Sequence, residues 1–247
     1  MKALFKTVFY IPLYNGLAGL AIILPGHNLG LAVIVLTLIV KLILSPLQRR
    51  VSHAQHRMKA LEPKIKAIKD KHSKDNTEQA RHIMALYKEY RVNPFSSIIV
   101  LIIQIPILFA LYYVFRSGFD FDPNLLYSFV PSPVGLNHFF LGIDLTVGNY
   151  VLAFLTGLTQ FFQVRFMMPA STASSSADPS DIKANLAKSM QTQMKYFLPI
   201  VVIFIAASLP AAISLYWITS NLFALAQEWW FRRRLPSLEP ITPDQSC

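Results

Sequence analysis

Cysteine is almost absent. The one cysteine in 247 residues is Cys247, so no intrachain disulfide and no cysteine-based metal site can form, and cysteine usage says nothing of the redox compartment. Acidic residues are scarce as well, 13 against 23 Lys and Arg, and charged residues of both signs make up only 15% of the chain. With 53% hydrophobic residues and a mean hydropathy of +0.42, that is too little charge for an ordinary soluble domain, and the chain reads as a membrane protein. No GxSxG, HExxH or P-loop pattern occurs, and no apolar run holds a pair of carboxylates of the kind a protease or pump would need. The expectation is a protein that is not an enzyme, with neither a nucleotide nor a metal cofactor and no specific nucleic-acid motif. His53 and His56 lie three apart among Arg49, Arg50 and Arg57, whose charge would repel a metal ion. No internal repeat relates two halves, as it does in many transporters.

Long apolar runs are present in number. About 20 mostly apolar residues cross a bilayer as a helix, and residues 29–48, 94–116 and 147–168 each meet that length. Residues 195–231 are too long for one span, and Pro210 divides them into 195–209 and 210–231. The fold class expected is an all-α polytopic membrane protein with five spans. Residues 1–28 begin with Lys2 and Lys6 before an apolar stretch, with a signal-like profile but no lipid-acceptor cysteine or convincing cleavage site. Pro12, Asn15 and two glycines weaken residues 5–24 as a span, leaving an interfacial helix and a sixth membrane-embedded helix both open.

Charge sets the orientation. Residues 49–93 carry twelve Lys or Arg against five acids, which places them in the cytoplasm. Residues 117–146, with Asp120, Asp122 and Asp144, fall outside. The loop 169–194, with Lys183 and Lys188, and the tail 232–247, with Arg232, Arg233 and Arg234, return to the cytoplasm. The basic segment carries two amphipathic patterns, Met58, Leu61, Ile65 and Ile68, then Ala80, Ile83, Met84, Tyr87 and Tyr90. Asp75 and Glu78 have capping-box spacing between them, so the segment predicts an antiparallel helical hairpin, with Pro63 kinking its first helix.

Polar residues recur within the spans: Lys41, Gln104, Thr156, Gln160, Gln163, Thr219, Asn221 and Gln227. Each could simply hydrogen-bond a neighbouring helix, for typically about 0.6 kcal/mol. Lys41, in VLTLIVKLILSP, is the sharpest case. A charge at the centre of a lipid-exposed helix costs roughly 2.5 to 3.5 kcal/mol, so Lys41 either snorkels to water beyond Gln48 or faces inward with a task. In the second case these groups line a water-containing cavity open to the basic side, with Lys41 as a fixed charge that attracts acidic or polar segments.

Several stretches resemble the YidC/Oxa/Alb membrane protein insertase family: QIPILFALYYVF at 104–115, FLGIDLT at 140–146, MKALEPKIKAIKDKH at 58–72, and 194–227 with its Tyr216, Trp217, Ser220 and Asn221 element. The resemblance covers nearly the whole chain in family order. It implies a five-transmembrane-helix core with a cytoplasmic hairpin, enclosing a hydrophilic groove through which polar tails pass while hydrophobic segments enter the bilayer. The groove residues it implies are Lys41, Gln104, Gln163, Trp217 and Asn221, with Arg57, Lys59, Lys64 and Lys66 as hairpin contacts. Nascent membrane proteins and the lipid bilayer would be the partners, with the ribosome, the signal recognition particle receptor and a Sec translocon as further candidates. A small-solute transporter or channel using the same polar residues, and a bare membrane anchor, are the alternative readings. Two positions depart from the family pattern. Lys41 stands where arginine is usual, which keeps the charge but loses the bidentate fork. Ala211 and Ala212 lie where a glycine is often found.

Overall fold

The computed structural model describes residues 2–73, 75–93, 96–116, 119–167 and 196–234, and they are mostly helical. The expected loop 169–194 and the tail beyond Arg234 lie outside the described residues.

The N-terminal run is helical throughout: α1 (Lys2–Phe5), a π-helical turn (Lys6–Tyr10) and α2 (Ile11–Ile23). Pro12 opens α2 and has no N–H to give to the preceding turn, and the widened π turn sits where that bond is missing. One side of α2 is buried, with Leu13, Tyr14, Leu17, Ala18 and Ala21 in a core shared with the helices Leu29–Ala60, Ser96–Arg116 and Ala211–Arg234. Residues 5–24 therefore pack into the helical bundle.

After a turn at Gly26, Asn28 caps α3 (Leu29–Ala60) by accepting from the Leu31 N–H at 3.0 Å. At 32 residues α3 is about 48 Å long, well beyond the roughly 30 Å hydrocarbon layer, and it runs unbroken through Pro46 into the basic segment. Lys6–Ile23 and Leu29–Ala60 are the two helices among the described residues long and apolar enough to cross a membrane by length and composition.

Leu61 breaks the chain after α3, and α4 (Glu62–Lys71) and α5 (Asn76–Glu89) follow. Leu61, Ile65, Leu86, Tyr90 and Val92 form their own small core. Asp75 caps α5 with bonds from the Thr77 and Glu78 amides at 2.9 and 3.1 Å. The expected first hairpin helix is interrupted near Pro63: α3 ends at Ala60, Leu61 turns, and Pro63 lies in the first turn of α4, where its missing N–H costs no bond within that helix.

The remaining helices are α6 (Ser96–Arg116), α7 (Tyr150–Met167), α8 (Leu198–Ala207) and α9 (Ala211–Arg234), the last two parted at Ser208–Pro210. Gly157 lets α7 meet α8, since a Cβ there would stand 2.2 Å from the Ile203 side chain and 3.0 Å from the Pro199 carbonyl. The connection 119–149 closes the end of the bundle remote from α4 and α5. Its carbonyls at Val147 and Leu145 accept the first amides of α9, Ala211 and Ala212, at 2.9 and 3.1 Å, so donors that a helix start leaves orphaned are satisfied. Asn15 holds the same connection to α2, donating to the Leu125 carbonyl at 2.9 Å and accepting from the Tyr127 amide at 2.6 Å.

Candidate functional site

Lys41 points into the bundle. It is 4% exposed, on a turn of α3 whose outward neighbours Leu42 and Ile43 are 60% and 70% exposed, so the side chain does not reach along the surface to water. Its Nζ donates to Gln104 Oε1 of α6 at 3.3 Å. The Gln104 amide nitrogen in turn donates to the Tyr216 hydroxyl of α9, a fully buried ring. Three helices are thus joined by one chain of polar groups. An ammonium has three N–H donors, and Gln104 takes only one. Among the described residues no carboxylate lies within ion-pair distance of Lys41.

The other expected groove residues sit on the same helices but do not all join that chain. Asn221, 3% exposed, lies more than one turn further along α9 and donates to Thr159 Oγ1 of α7 at 3.2 Å. Trp217 is half-buried against the main core, and Gln163 is half-buried on α7. Thr156, fully buried, donates to the Leu152 carbonyl at 2.8 Å and lies 3.3 Å from that of Ser214, serving α7–α9 packing. Thr219 bonds back to the Leu215 carbonyl at 2.8 Å, and Gln227 Nε2 donates to Ser45 Oγ at 2.5 Å, tying α9 to α3 beside Pro46.

The four expected hairpin residues are exposed. Arg57 and Lys59 occupy the last turn of α3, where positive charge suits the helix dipole. Lys64 lies over the Tyr90 ring at 4.4 Å and donates to its hydroxyl, so it joins α4 to α5, whereas Lys66 faces solvent. Partial desolvation and the charges of Arg49, His56 and Arg57 lower the His53 pKa, so that ring stays neutral at neutral pH.

Sequence reasoning passed over Glu228. It is 4% exposed near the end of α9 and accepts from Ser52 Oγ at 2.6 Å, from His56 Nε2 at 3.0 Å and from Arg232 Nε at 2.9 Å. Arg232 also donates to the Phe166 carbonyl at 2.5 Å and lies over that ring at 4.2 Å, so the ends of α7 and α9 and the extension of α3 meet at one carboxylate. A signal was there to be read: Glu228 is the one acid between residues 182 and 234. Tyr216 was visible in its motif but not assigned to the site.

Comparison with known proteins places these helices in a family. The family model described as 60Kd inner membrane protein matches residues 22–238. A membrane protein insertase YidC from Clostridium tetani (strain Massachusetts / E88) is 34% identical over 203 residues, 82% of this chain and 81% of that protein. Proteins of the same name from Nitratidesulfovibrio vulgaris (strain DP4) and Francisella tularensis subsp. novicida (strain U112) are 28% and 32% identical over 84% and 83% of this chain. The chain spans only about a third of the length of those two, 35% and 33%. With α3 to α9 inside the matched region, and a relative of similar length matched over four-fifths of both chains, this chain belongs to the 60Kd inner membrane protein family.

Proposed function

We propose that this chain is a membrane protein insertase of the bacterial plasma membrane, guiding hydrophobic segments and short polar tails of new proteins into the bilayer and assisting their folding. The observation that carries it is Lys41, a buried cation in an apolar bundle with one neutral hydrogen-bond partner. A buried charge normally acquires a counter-ion or is replaced, because desolvation costs several kcal/mol per ion. A cation held this way is suited to a transient anionic partner, such as the acidic tail of a segment in transit. Low-dielectric walls strengthen that attraction, and the tail gains what the protein itself does not supply. Gln104 and Tyr216 hold the lysine in place, while Gln163, Trp217 and Asn221 offer further polar and amphipathic groups to a passing chain.

In this reading α3, α6, α7, α8 and α9 are five spans around a hydrophilic groove, with α4 and α5 and the C-terminus in the cytoplasm. Arg57, Lys59 and Lys66 are free to meet a nascent chain, the ribosome, the signal recognition particle receptor or a Sec translocon. No nucleotide or metal takes part. The names of the relatives support the same activity.

Depletion of the cell's own insertase, with complementation by this chain and a reporter membrane protein bearing an acidic tail, is the test. Lys41→Glu is expected to abolish insertion and Lys41→Arg to preserve it. Normal insertion by a stably expressed Lys41→Glu protein would sink the role of the charge. Solute flux in liposomes with no effect on insertion would replace the reading by a transporter.

A further inference from the structure

We infer that segment 123–143 is seated in lipid, its hairpin tip at Leu141 entering the leaflet on the side of the bundle opposite α4 and α5. Residues 123–143 contain no Asp, Glu, Lys or Arg; His138 is the one side chain there that can carry charge near neutral pH, although acids flank them at Asp122 and Asp144. A connection of this length in water would ordinarily carry charge. This one instead presents large apolar groups outward: Leu141 is 87% exposed, Val134 81% and Phe129 78%. Single exposed apolar residues need no explanation, but three of this size within thirteen residues form a patch that marks an interaction surface.

The tip also breaks a local rule. Strands β1 (Phe139–Phe140) and β2 (Ile143–Asp144) are joined by Leu141 and Gly142, with φ of +51° and +79°. A two-residue turn with both central residues left-handed strongly prefers Asn or Asp before Gly, because a branched apolar side chain is strained there. Leu141 is strained and gains almost no contact within the fold in return. A residue that violates its local preference without internal compensation points to a partner outside the chain.

Looseness does not explain the exposure. The Asn137 amide donates to the His27 carbonyl at 3.0 Å, the Leu29 amide to the Asn137 carbonyl at 3.1 Å, and Asn28 Nδ2 to the Phe139 carbonyl at 2.9 Å. The Phe140 ring fills the space a Cβ on Gly30 would need, at 2.4 Å. The hairpin is thus clamped on the start of α3 with its tip held outward.

Lipid is the partner that fits. From Gly142 the chain reaches α7 within eight residues, and α7 opens with the exposed stripe Tyr150, Val151, Phe154 and Leu158, so the patch continues an apolar helix flank. The patch lacks charges with which to orient a protein partner, and the stacked Tyr127 and Phe129 rings, 5.3 Å apart, suit the headgroup boundary. The inference rests on the membrane residence proposed above but not on the insertase activity.

The test uses the full chain with Cys247→Ser, purified into phosphatidylcholine and phosphatidylglycerol liposomes and carrying one nitroxide label at a time. Leu141→Cys and Val134→Cys probe the patch, Phe154→Cys is the lipid reference and Asp120→Cys the water reference. Collision with oxygen is expected to exceed collision with a water-soluble nickel chelate at 141 and 134, as at 154, with the reverse at 120. A Leu141 label as open to nickel as the Asp120 label, while 154 reads lipid, overturns the inference and leaves membrane residence standing. Shielding from both reagents, with spin–spin broadening, would mean a second copy covers the patch and overturns it too. Water at 154 as well would end both. Because Asn suits the left-handed turn, Leu141→Asn keeps the hairpin folded, and the label at Val134 should then lose oxygen contact.

Discussion

Lys41 and Glu228 are both buried to 4% exposure at the meeting of α3 and α9, yet they are built in opposite ways. Glu228 has three side-chain donors, two of them able to carry positive charge, and every partner is fixed by a second contact or by its helix. Lys41 has one neutral acceptor, itself held by Tyr216. Two of the partners of Glu228, Ser52 and His56, lie about 16 and 22 Å along α3 from Lys41, in the part of that helix beyond the hydrocarbon length. One site is saturated and ties three helix ends together. The other keeps bonding capacity in reserve. Burial of a charge therefore serves two ends in one bundle, and the count of partners tells them apart.

Glu228→Ala should have the largest effect on stability. It strands Ser52, His56 and Arg232 at one buried point, and removing one member of a buried charged cluster typically costs 3 to 5 kcal/mol. Arg232 is 34% exposed and can turn to water, which sets the expectation at about 3 kcal/mol, read as a fall in thermal stability of the purified protein with faster proteolysis between α3 and α4. Lys41→Met should act with the opposite sign. Methionine fills similar volume without an ion to desolvate, so stability should hold or rise by about 1 kcal/mol while insertion of acidic-tailed substrates is lost. A Lys41→Met protein destabilised as much as Glu228→Ala would mean that Lys41 is a structural tie as well, and the distinction would fall.

The two sites were unequally legible in the sequence. Lys41 stood out because a charge in an apolar run violates the run's own pattern, and Gln104 because a family-like motif contains it. Glu228 sits between Gln227 and Trp229 just before three arginines, so it reads as part of a basic helix end. Its partners at Ser52 and His56 are more than 170 residues away, and no spacing predicts that meeting. The helices were found from their apolar lengths, which report how much chain suits lipid and not where a helix stops. Hence α3 runs twelve residues past the expected 48 to Ala60, since residues 49–60 hold no helix breaker. Pro63 marked the interruption but not its form. Its effect depends on whether it falls inside a helix or in the first turn, and that is decided by Leu61, 1% exposed, turning into the core between α4 and α5.

Tyr216→Phe removes only the hydroxyl, which receives the Gln104 N–H and also bonds the Ser220 side chain one turn on, and a hydrogen bond between membrane helices is worth about 0.6 kcal/mol, so stability should change little. If Gln104 serves to hold Lys41 toward a transient anionic partner, the freed amide can rotate and the lysine loses its fixed bearing. Insertion of acidic-tailed reporters should then fall clearly more than insertion of uncharged ones, with the protein still folded. Equal losses on both reporter classes, tracking the small change in stability, would show that the three-residue chain only packs helices, and the reserve of bonding capacity at Lys41 would have to be explained without its two supports.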